Sequence, residues 1–348
     1  MSALGLIWTA SLVLSIWAVL AMGLLMVTRI VRTWRAATRD KIKSEMTREL
    51  LLAADGKSCG LTARRLSRRE QGILTGAGIE LLDLVRGTMA SRIVQTLTDC
   101  GINAVLARWI RSSNPLRRAA AAEALAHFAD HDGLAALSRA LTDADHDVRL
   151  AAGASLVKLG AAPPLGELVK TLCAHGTPSA RLGQILGLTF LQHPGEVFGL
   201  AQDTMLSSFV RSKAVETLAA AGDSATLPHL IALARDDDAD VRTAAIRGLG
   251  RLLNPGAGET IACAFADPAW FVRAAAAEAA GRMGLYELVP ALTTLVDDSV
   301  WWVRFRASEA LAVLGEAGRS ALRRLAAQHG GRASRAAAAA LAEGAQAS

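Results

Sequence analysis

The chain has 348 residues and a formal net charge of +6, and this charge is confined to its first part. Residues 1–72 hold 12 Lys/Arg and 5 Asp/Glu, whereas residues 73–348 hold 26 and 27. The larger part therefore lacks the basic excess expected of a nucleic-acid binder. The chain contains four cysteines that are far apart and form no Cys-x-x-Cys pair: Cys59, Cys100, Cys173 and Cys263. This spacing suggests neither a zinc site nor a disulfide framework, and unpaired thiols fit a reducing cytoplasm.

The N-terminal segment, residues 1–28, contains no charged side chain. Its apolar run is long enough to cross a hydrocarbon core of roughly 30 Å as a helix. Basic residues follow the segment but do not precede it, which places the N-terminus outside and the rest of the chain in the cytoplasm. A cleaved signal peptide would have a basic start and a shorter apolar run. We therefore predict a single transmembrane signal-anchor helix over residues 1–28 in an inner membrane, with a periplasmic N-terminus.

Two sets of side chains acquire roles from this prediction. Ser11, Ser15 and Ala18 share one helix face, where small residues let a partner helix approach. A basic stretch beside a bilayer meets anionic headgroups; the residues expected to do so are Arg29, Arg32, Arg35, Arg39, Lys41 and Lys43.

Residues 29–72 are predicted to form a basic juxtamembrane helical segment. Its first helix ends at Asp55-Gly56, and a second begins after Ser67, which with Glu70 fits a capping box. Gly56-Lys57-Ser58 resembles the end of a phosphate-binding loop, but that pattern needs a glycine where Leu51 stands and a strand before it. We interpret it as an ordinary loop.

From residue 73 onward, an arginine followed by an alanine-rich run returns every 30 to 32 residues. Self-similarity at this period predicts a solenoid of stacked repeats. Residues 73–348 are thus predicted to hold about nine helical hairpins. The repeating arginines are Arg86, Arg117, Arg149, Arg181, Arg211, Arg242, Arg273, Arg304 and Arg335.

Residues 224–255 illustrate one repeat. An apolar face with helical spacing begins at Leu227, an acidic run covers residues 236–240, and a second helical face runs from Val241 to Leu252. No segment of the chain alternates as a strand would, so the predicted fold class is all-α. We expect the turn aspartates to cap the second helices, and the repeating arginines to bond turn aspartates or nearby carbonyls as a ladder. The turns before Arg86, Arg181 and Arg211 lack the aspartate.

This repeating sequence pattern resembles the HEAT repeat in its short bacterial form, which phycobilisome-lyase-like proteins also contain. The matching residues are 147–149, 240–242, 267–273 and 297–304, and the resemblance covers about residues 80–345. It implies an α-solenoid that serves as a non-catalytic scaffold. The whole layout looks like bacterial membrane-anchored HEAT proteins that accompany envelope polysaccharide glycosyltransferases, which implies a partner in an exopolysaccharide synthesis complex. A bilin-lyase-like enzyme or chaperone and a HEAT-like nucleic-acid binder remain alternatives.

Few residues suggest chemistry. Asp143, Asp145 and Asp147 alternate as in a calcium loop but lack its glycine and glutamate, and His127 and His131 lack a third metal ligand. We predict no catalytic residue, metal site or cofactor.

Four aromatic residues provide the candidate site. Trp270, Phe271, Trp301 and Trp302 fall at the same turn of two adjacent repeats. They either wedge between repeats or anchor a protein partner, a role in which Trp is over-represented.

Overall fold

The structure, a computed structural model, describes residues 3–57, 60–61, 65–128, 131–173, 181–328 and 330–346, and within them every regular element is helical. These residues contain nineteen α-helices, besides three short 3₁₀ turns. The helices are α1 Ala3–Ala54, α2 Arg68–Leu84, α3 Thr88–Asp99, α4 Ile102–Trp109, α5 Pro115–Leu125, α6 His131–Ala140, α7 His146–Lys158, α8 Leu165–Cys173, α9 Arg181–Gln192, α10 Pro194–Gln202, α11 Ser208–Ala220, α12 Leu227–Leu233, α13 Ala239–Leu252, α14 Gly258–Ala264, α15 Trp270–Met283, α16 Val289–Leu295, α17 Trp301–Val313, α18 Gly315–Ala326 and α19 Arg332–Gln346. The all-α prediction is confirmed.

The chain divides into two compact units, residues 1–136 and residues 137–348. In the first unit, α1 packs against α2 and α3 through its C-terminal part, where Met46, Leu50 and Ala54 are fully buried. The predicted end of this helix is confirmed, because Gly56 follows it with φ +79°, the left-handed conformation that suits glycine. The capping box that begins α2 is also confirmed. The domain boundaries proposed at residues 28 and 72 stay predictions.

The prediction of a transmembrane helix was wrong. A span needs about 20 consecutive apolar residues, and no helix in the described part of the chain supplies a stretch of that length and hydropathy. This finding overturns the transmembrane assignment of residues 1–28, although most of them are helical as part of α1, and with it the inner-membrane localisation.

The roles that depended on that helix stay untested. The side chains of Ser11, Ser15 and Ala18 lie outside the described residues, as do those of Arg32, Arg35 and Arg39. Arg29 and Lys41 are exposed, and the Lys43 ammonium lies 2.6 Å from the carboxylate of Glu80 on α2.

In the second unit, helices alternate between first and second members of hairpins, and successive second helices pack side by side to form a solenoid. The core repeats with the sequence. Val241, Val272 and Val303 recur at the period of the repeats, near the start of α13, α15 and α17, and all three are fully buried. Neither helix of a hairpin can bury its apolar face alone, so the stacked neighbours supply the missing surface.

Small residues set the spacing of these second helices. A Cβ added to Gly250 would lie 2.8 Å from the Cβ of Ala279, and one added to Gly281 would lie 2.9 Å from the Cα of Ala310. Each interface therefore places a glycine against an alanine, and the backbones approach more closely than larger side chains would allow.

Candidate functional site

The turns between paired helices are held by their aspartates. The Asp145 carboxylate accepts hydrogen bonds from the N–H groups of Asp147 and Val148, at 3.0 and 3.2 Å, and so caps α7. Asp238 caps α13 in the same way. The predicted capping role is confirmed at these two turns, and α13 begins within the acidic run because Asp238 satisfies its free amides.

Most of the repeating arginines in the described turns hydrogen-bond to carbonyls of their own turn. The Nη1 group of Arg242 donates to the carbonyls of Asp236 and Asp237, six and five residues before it, at 2.8 and 2.9 Å. The same pair of bonds is repeated by Arg118, Arg149, Arg273 and Arg304. The guanidinium thus closes the turn from which its own helix starts.

Two of these arginines, Arg242 and Arg273, and also Arg211 reach an aspartate of the next repeat. Arg242 pairs in bidentate fashion with Asp267, 25 residues later, through Nε–Oδ2 at 2.8 Å and Nη2–Oδ1 at 3.0 Å. Arg273 pairs likewise with Asp298, and Arg211 with Asp236. These pairs are largely buried; the side chains of Arg242 and Asp267 are 13% and 10% exposed. The predicted ladder is confirmed for Arg211, Arg242 and Arg273, which pair with turn aspartates, whereas Arg304 bonds only carbonyls of its own turn.

Three of the repeating arginines do not have the role that the repeat pattern predicted for them. In the repeat of α5, the arginine that grips the turn is Arg118 and not its neighbour Arg117. Arg86 lies between α2 and α3 and donates to the carbonyl of Leu82, so it starts no second helix. Arg211, whose turn lacks the aspartate, donates through Nε to the carbonyl of Ala201.

Two of the ladder aspartates, Asp267 and Asp298, have lowered pKa values. Burial raises the pKa of Asp267, but the hydrogen bonds from the Arg242 guanidinium and the Ala269 N–H outweigh this effect and hold the pKa below its usual value of 3.8. The pKa of Asp298 is lowered by the same balance, with Arg273 and the Val300 N–H as donors.

This shift predicts acid sensitivity. A carboxylate whose pKa is lower in the folded protein than in the unfolded chain stabilises the folded state at pH values above its pKa in the unfolded chain. This stabilisation is lost as the pH falls through the pKa of the carboxylate in the folded protein. We expect the urea midpoint to fall as the pH is lowered from about 5 to below 3.8, the usual aspartate pKa. An Asp267→Asn/Asp298→Asn variant should have a lower urea midpoint than wild type at neutral pH. Its midpoint should then decrease less than that of wild type on acidification. Equal pH dependence in both proteins would contradict the role of these two carboxylates.

The predicted aromatic residues begin two adjacent second helices. Trp270 and Trp301 are the first residues of α15 and α17, and they follow extended residues Ala269 and Val300. Trp301 stacks on Phe305 one turn later, with ring centroids 5.2 Å apart and an interplanar angle of 15°. Trp302 meets both rings edge-on. We call Trp270, Phe271, Trp301, Trp302 and Phe305 the aromatic patch.

Exposure differs within the aromatic patch. Trp270, Trp301 and Trp302 are 41%, 54% and 49% exposed, values high for side chains of this size. Phe271 packs partly against the core and meets Trp270 edge-on at 5.6 Å.

Sequence reasoning missed two aromatic residues. Phe305 follows Trp301 by one helical turn, the spacing that brings side chains together. Phe209 occupies the position equivalent to Phe271, two repeats earlier, and is 40% exposed. Aligning the repeats position by position would have found it.

The remaining candidate residues serve local structure. Asp143 accepts a hydrogen bond from the N–H of Asp145 at 2.8 Å, so the apparent calcium loop is an acidic turn. Lys57 pairs with Asp55 at 2.9 Å in the loop after α1. His131 lies exposed in the first turn of α6. In the described part of the chain no three His, Cys, Asp or Glu side chains converge as metal ligands.

Comparison with solved structures gives distant likenesses. The karyopherin Kap121p is 15% identical over 87% of this chain, with a TM-score of 0.43, and its complex with Nup53p gives the same values. This chain spans 41% of the length of Kap121p. An engineered protein is 18% identical over 88% of this chain and 98% of its own, with a TM-score of 0.35. A comparison with curated proteins gives no match.

The family comparison is more direct. The model of HEAT repeats matches residues 102–189, 163–250, 206–262 and 259–342, which together cover well over half of the chain. The matched region includes the ladder and the aromatic patch. The chain belongs to the HEAT-repeat family.

Proposed function

We propose that this protein is a non-catalytic scaffold that binds a protein partner through the aromatic patch. The observation that carries the proposal is the exposure of three tryptophans at helix starts that the fold secures by other means. Tryptophan is enriched among the residues that contribute most to protein–protein binding.

The equivalent turn before α13 supports this interpretation. It carries Ala239 and Asp240 where the next two repeats carry aromatic pairs, yet α13 begins at the same place and its Arg242 makes the same ladder bonds. The turn therefore forms without aromatic side chains. An aromatic residue that packing does not require is favoured as a binding residue.

The surroundings of the patch indicate the chemistry of the partner. In the preceding repeat, Asp237 in the turn and Asp240 in the first turn of α13 are exposed, and Asp240 occupies the position equivalent to Phe271 of the aromatic patch. Tryptophan faces attract Lys and Arg through cation–π interactions, and nearby carboxylates add to this attraction. The proposed partner therefore presents a segment with apolar and basic side chains.

The test replaces both tryptophans of α17 with alanine. A partner is first identified by co-purification with the full chain, and its binding to the purified wild type is then measured. We expect Trp301→Ala/Trp302→Ala to weaken this binding by about 2 kcal/mol or more, roughly thirty-fold, with a nearly unchanged melting temperature. Tyr286→Ala is the matched control, because Tyr286 is 61% exposed but lies after the C-terminus of α15.

The opposite result has a clear signature. Truncating a buried aromatic costs roughly 3–5 kcal/mol of stability. A double variant that melts early while its folded fraction still binds would assign the tryptophans to packing. Self-association of the wild type that disappears in the variant would instead make the patch a contact between copies.

The finer identification of the partner rests on resemblance alone. A polysaccharide-synthesising glycosyltransferase was expected together with the membrane anchor, and that anchor has been corrected above. The proposal therefore includes neither the glycosyltransferase nor lipid headgroups.

A further inference from the structure

A cavity of about 610 Å³ lies in the first unit, between α2 and α4. Two helical stripes face each other across it: Arg69, Gly72 and Ile73 of α2, and Val105, Arg108 and Trp109 of α4. Both sets have the i, i+3, i+4 spacing of a single helix face. Ile73 and Val105 are buried and form the floor, and Arg68, Ser112 and Arg117 complete the rim. We call this cavity the arginine pocket.

Four arginines converge on the arginine pocket, and none of its described lining residues is a carboxylate. Arg108 is positioned by its own hydrogen bonds, from Nε to the Ala104 carbonyl and from Nη2 to the Gln71 amide oxygen. Arg68, Arg69 and Arg117 are exposed, and no described residue forms an ion pair with them.

This arrangement contrasts with the arginines of the ladder. There each guanidinium has a carboxylate or a set of carbonyls, so its charge is compensated within the fold. Like charges that share a site repel one another unless an anion joins them. Guanidinium groups suit phosphate because their planar N–H donors match its oxygens in bidentate fashion.

We propose that the arginine pocket binds a soluble organic polyphosphate of nucleotide size. The cavity volume falls in the range of small-molecule sites, which is about 300–1,000 Å³. The half-buried Trp109 ring in its wall offers a surface on which a planar base can stack, and the four arginines receive the phosphates. This site is remote in sequence from the aromatic patch and independent of the proposed partner.

The local nature of the charge favours a small ligand over a nucleic acid. A strand of nucleic acid needs a basic surface that continues along its length, whereas residues 73–348 hold 26 basic and 27 acidic side chains. The arginine pocket is a confined cleft between one helix of 17 residues and one of 8.

The experiment is calorimetric titration of the full chain with ATP and, separately, with inorganic pyrophosphate. We expect saturable binding of both, with ATP the tighter because only ATP carries a base. An Arg69→Gln/Arg117→Gln variant should bind ATP about a hundred-fold more weakly, since each charged hydrogen-bond donor contributes about ten-fold. Arg111→Gln is the matched control, because Arg111 is exposed in the turn between α4 and α5 but does not line the pocket; it should change the affinity less than about two-fold.

Several outcomes would overturn the proposal. These are absence of saturable ATP binding, equal weakening by Arg111→Gln, and an oligonucleotide that binds far more tightly than ATP with a steep salt dependence. Association with phosphatidylglycerol vesicles that ATP does not displace would assign the arginines to lipid phosphates instead. Circular dichroism verifies that each variant folds. If Arg69→Gln or Arg117→Gln prevents folding, Arg68→Gln is used in its place.

Discussion

Replacing Arg242 with alanine is expected to lower the free energy of unfolding by about 3–5 kcal/mol. The change removes two bonds to carbonyls of its own turn and leaves the Asp267 carboxylate, which is 10% exposed, without its cation. A buried charge without a partner carries its full desolvation cost. The measurement is urea unfolding followed by circular dichroism at neutral pH.

Arg247→Ala is the matched control for this prediction. Arg247 lies on the same helix, α13, but is exposed and makes no ion pair within the described part of the chain. Its removal should change the free energy of unfolding by no more than about 0.5 kcal/mol.

A double variant separates the two contributions of Arg242. Arg242→Met/Asp267→Asn removes both charges but keeps an oxygen that accepts from the Ala269 N–H, and it should recover part of the lost stability because no unpaired carboxylate remains. If it is as unstable as Arg242→Ala, the carbonyl bonds within the turn carry the stability and the link between repeats does not. A single variant as stable as wild type would contradict both roles.

The repeats were predictable because equivalent residues meet equivalent surroundings. Val241, Val272 and Val303 occupy the same position of three successive repeats, and each is fully buried. Local signals were equally informative: the capping box of Ser67 and Glu70 specifies a helix start by two reciprocal hydrogen bonds within a single turn.

The exact ladder residue was harder to predict where two arginines are adjacent. Arg117 and Arg118 fit the repeating sequence pattern equally well. Only the structure distinguishes them, because the Arg118 guanidinium donates to the carbonyls of Ser112 and Ser113. The exposure of Trp301 and Trp302 was similarly undetermined, because a turn aromatic can point into a repeat interface or away from it.

The N-terminal segment and the arginine pocket show two further limits. Apolar composition alone suggested a bilayer span, and the described helices do not provide one. Arg69 and Arg108 line the same arginine pocket although they are distant in the sequence, on helices whose packing no local pattern specifies. Interpretation from the sequence had assigned Arg69 only to a basic stretch and had given Arg108 no role.

Removing one repeat in register is expected to leave a shorter protein with the same helical content per residue. Deleting residues 274–304 joins Arg273 to Phe305 and removes one full period of the sequence. Arg242 keeps Asp267 as its partner, and Arg273 keeps its bond to the carbonyl of Asp267. The new interface places Gly250 opposite Ala310, so the close glycine–alanine contact is preserved as well.

The matched control deletes only residues 274–301 and leaves the same turn intact. Residues 302–304 then remain in the second helix, and they rotate everything after the junction by about 60° from its proper orientation. Ala307 and Leu311, both fully buried in the intact protein, leave the core face. Stability in a stacked array is shared between neighbouring repeats, so we expect the out-of-register deletion to lose the cooperative unfolding transition and the in-register deletion to keep it. Circular dichroism with urea titration distinguishes the two. If both deletions unfold alike, the period of the sequence does not define an independent repeat, and the ladder does not set the spacing between repeats.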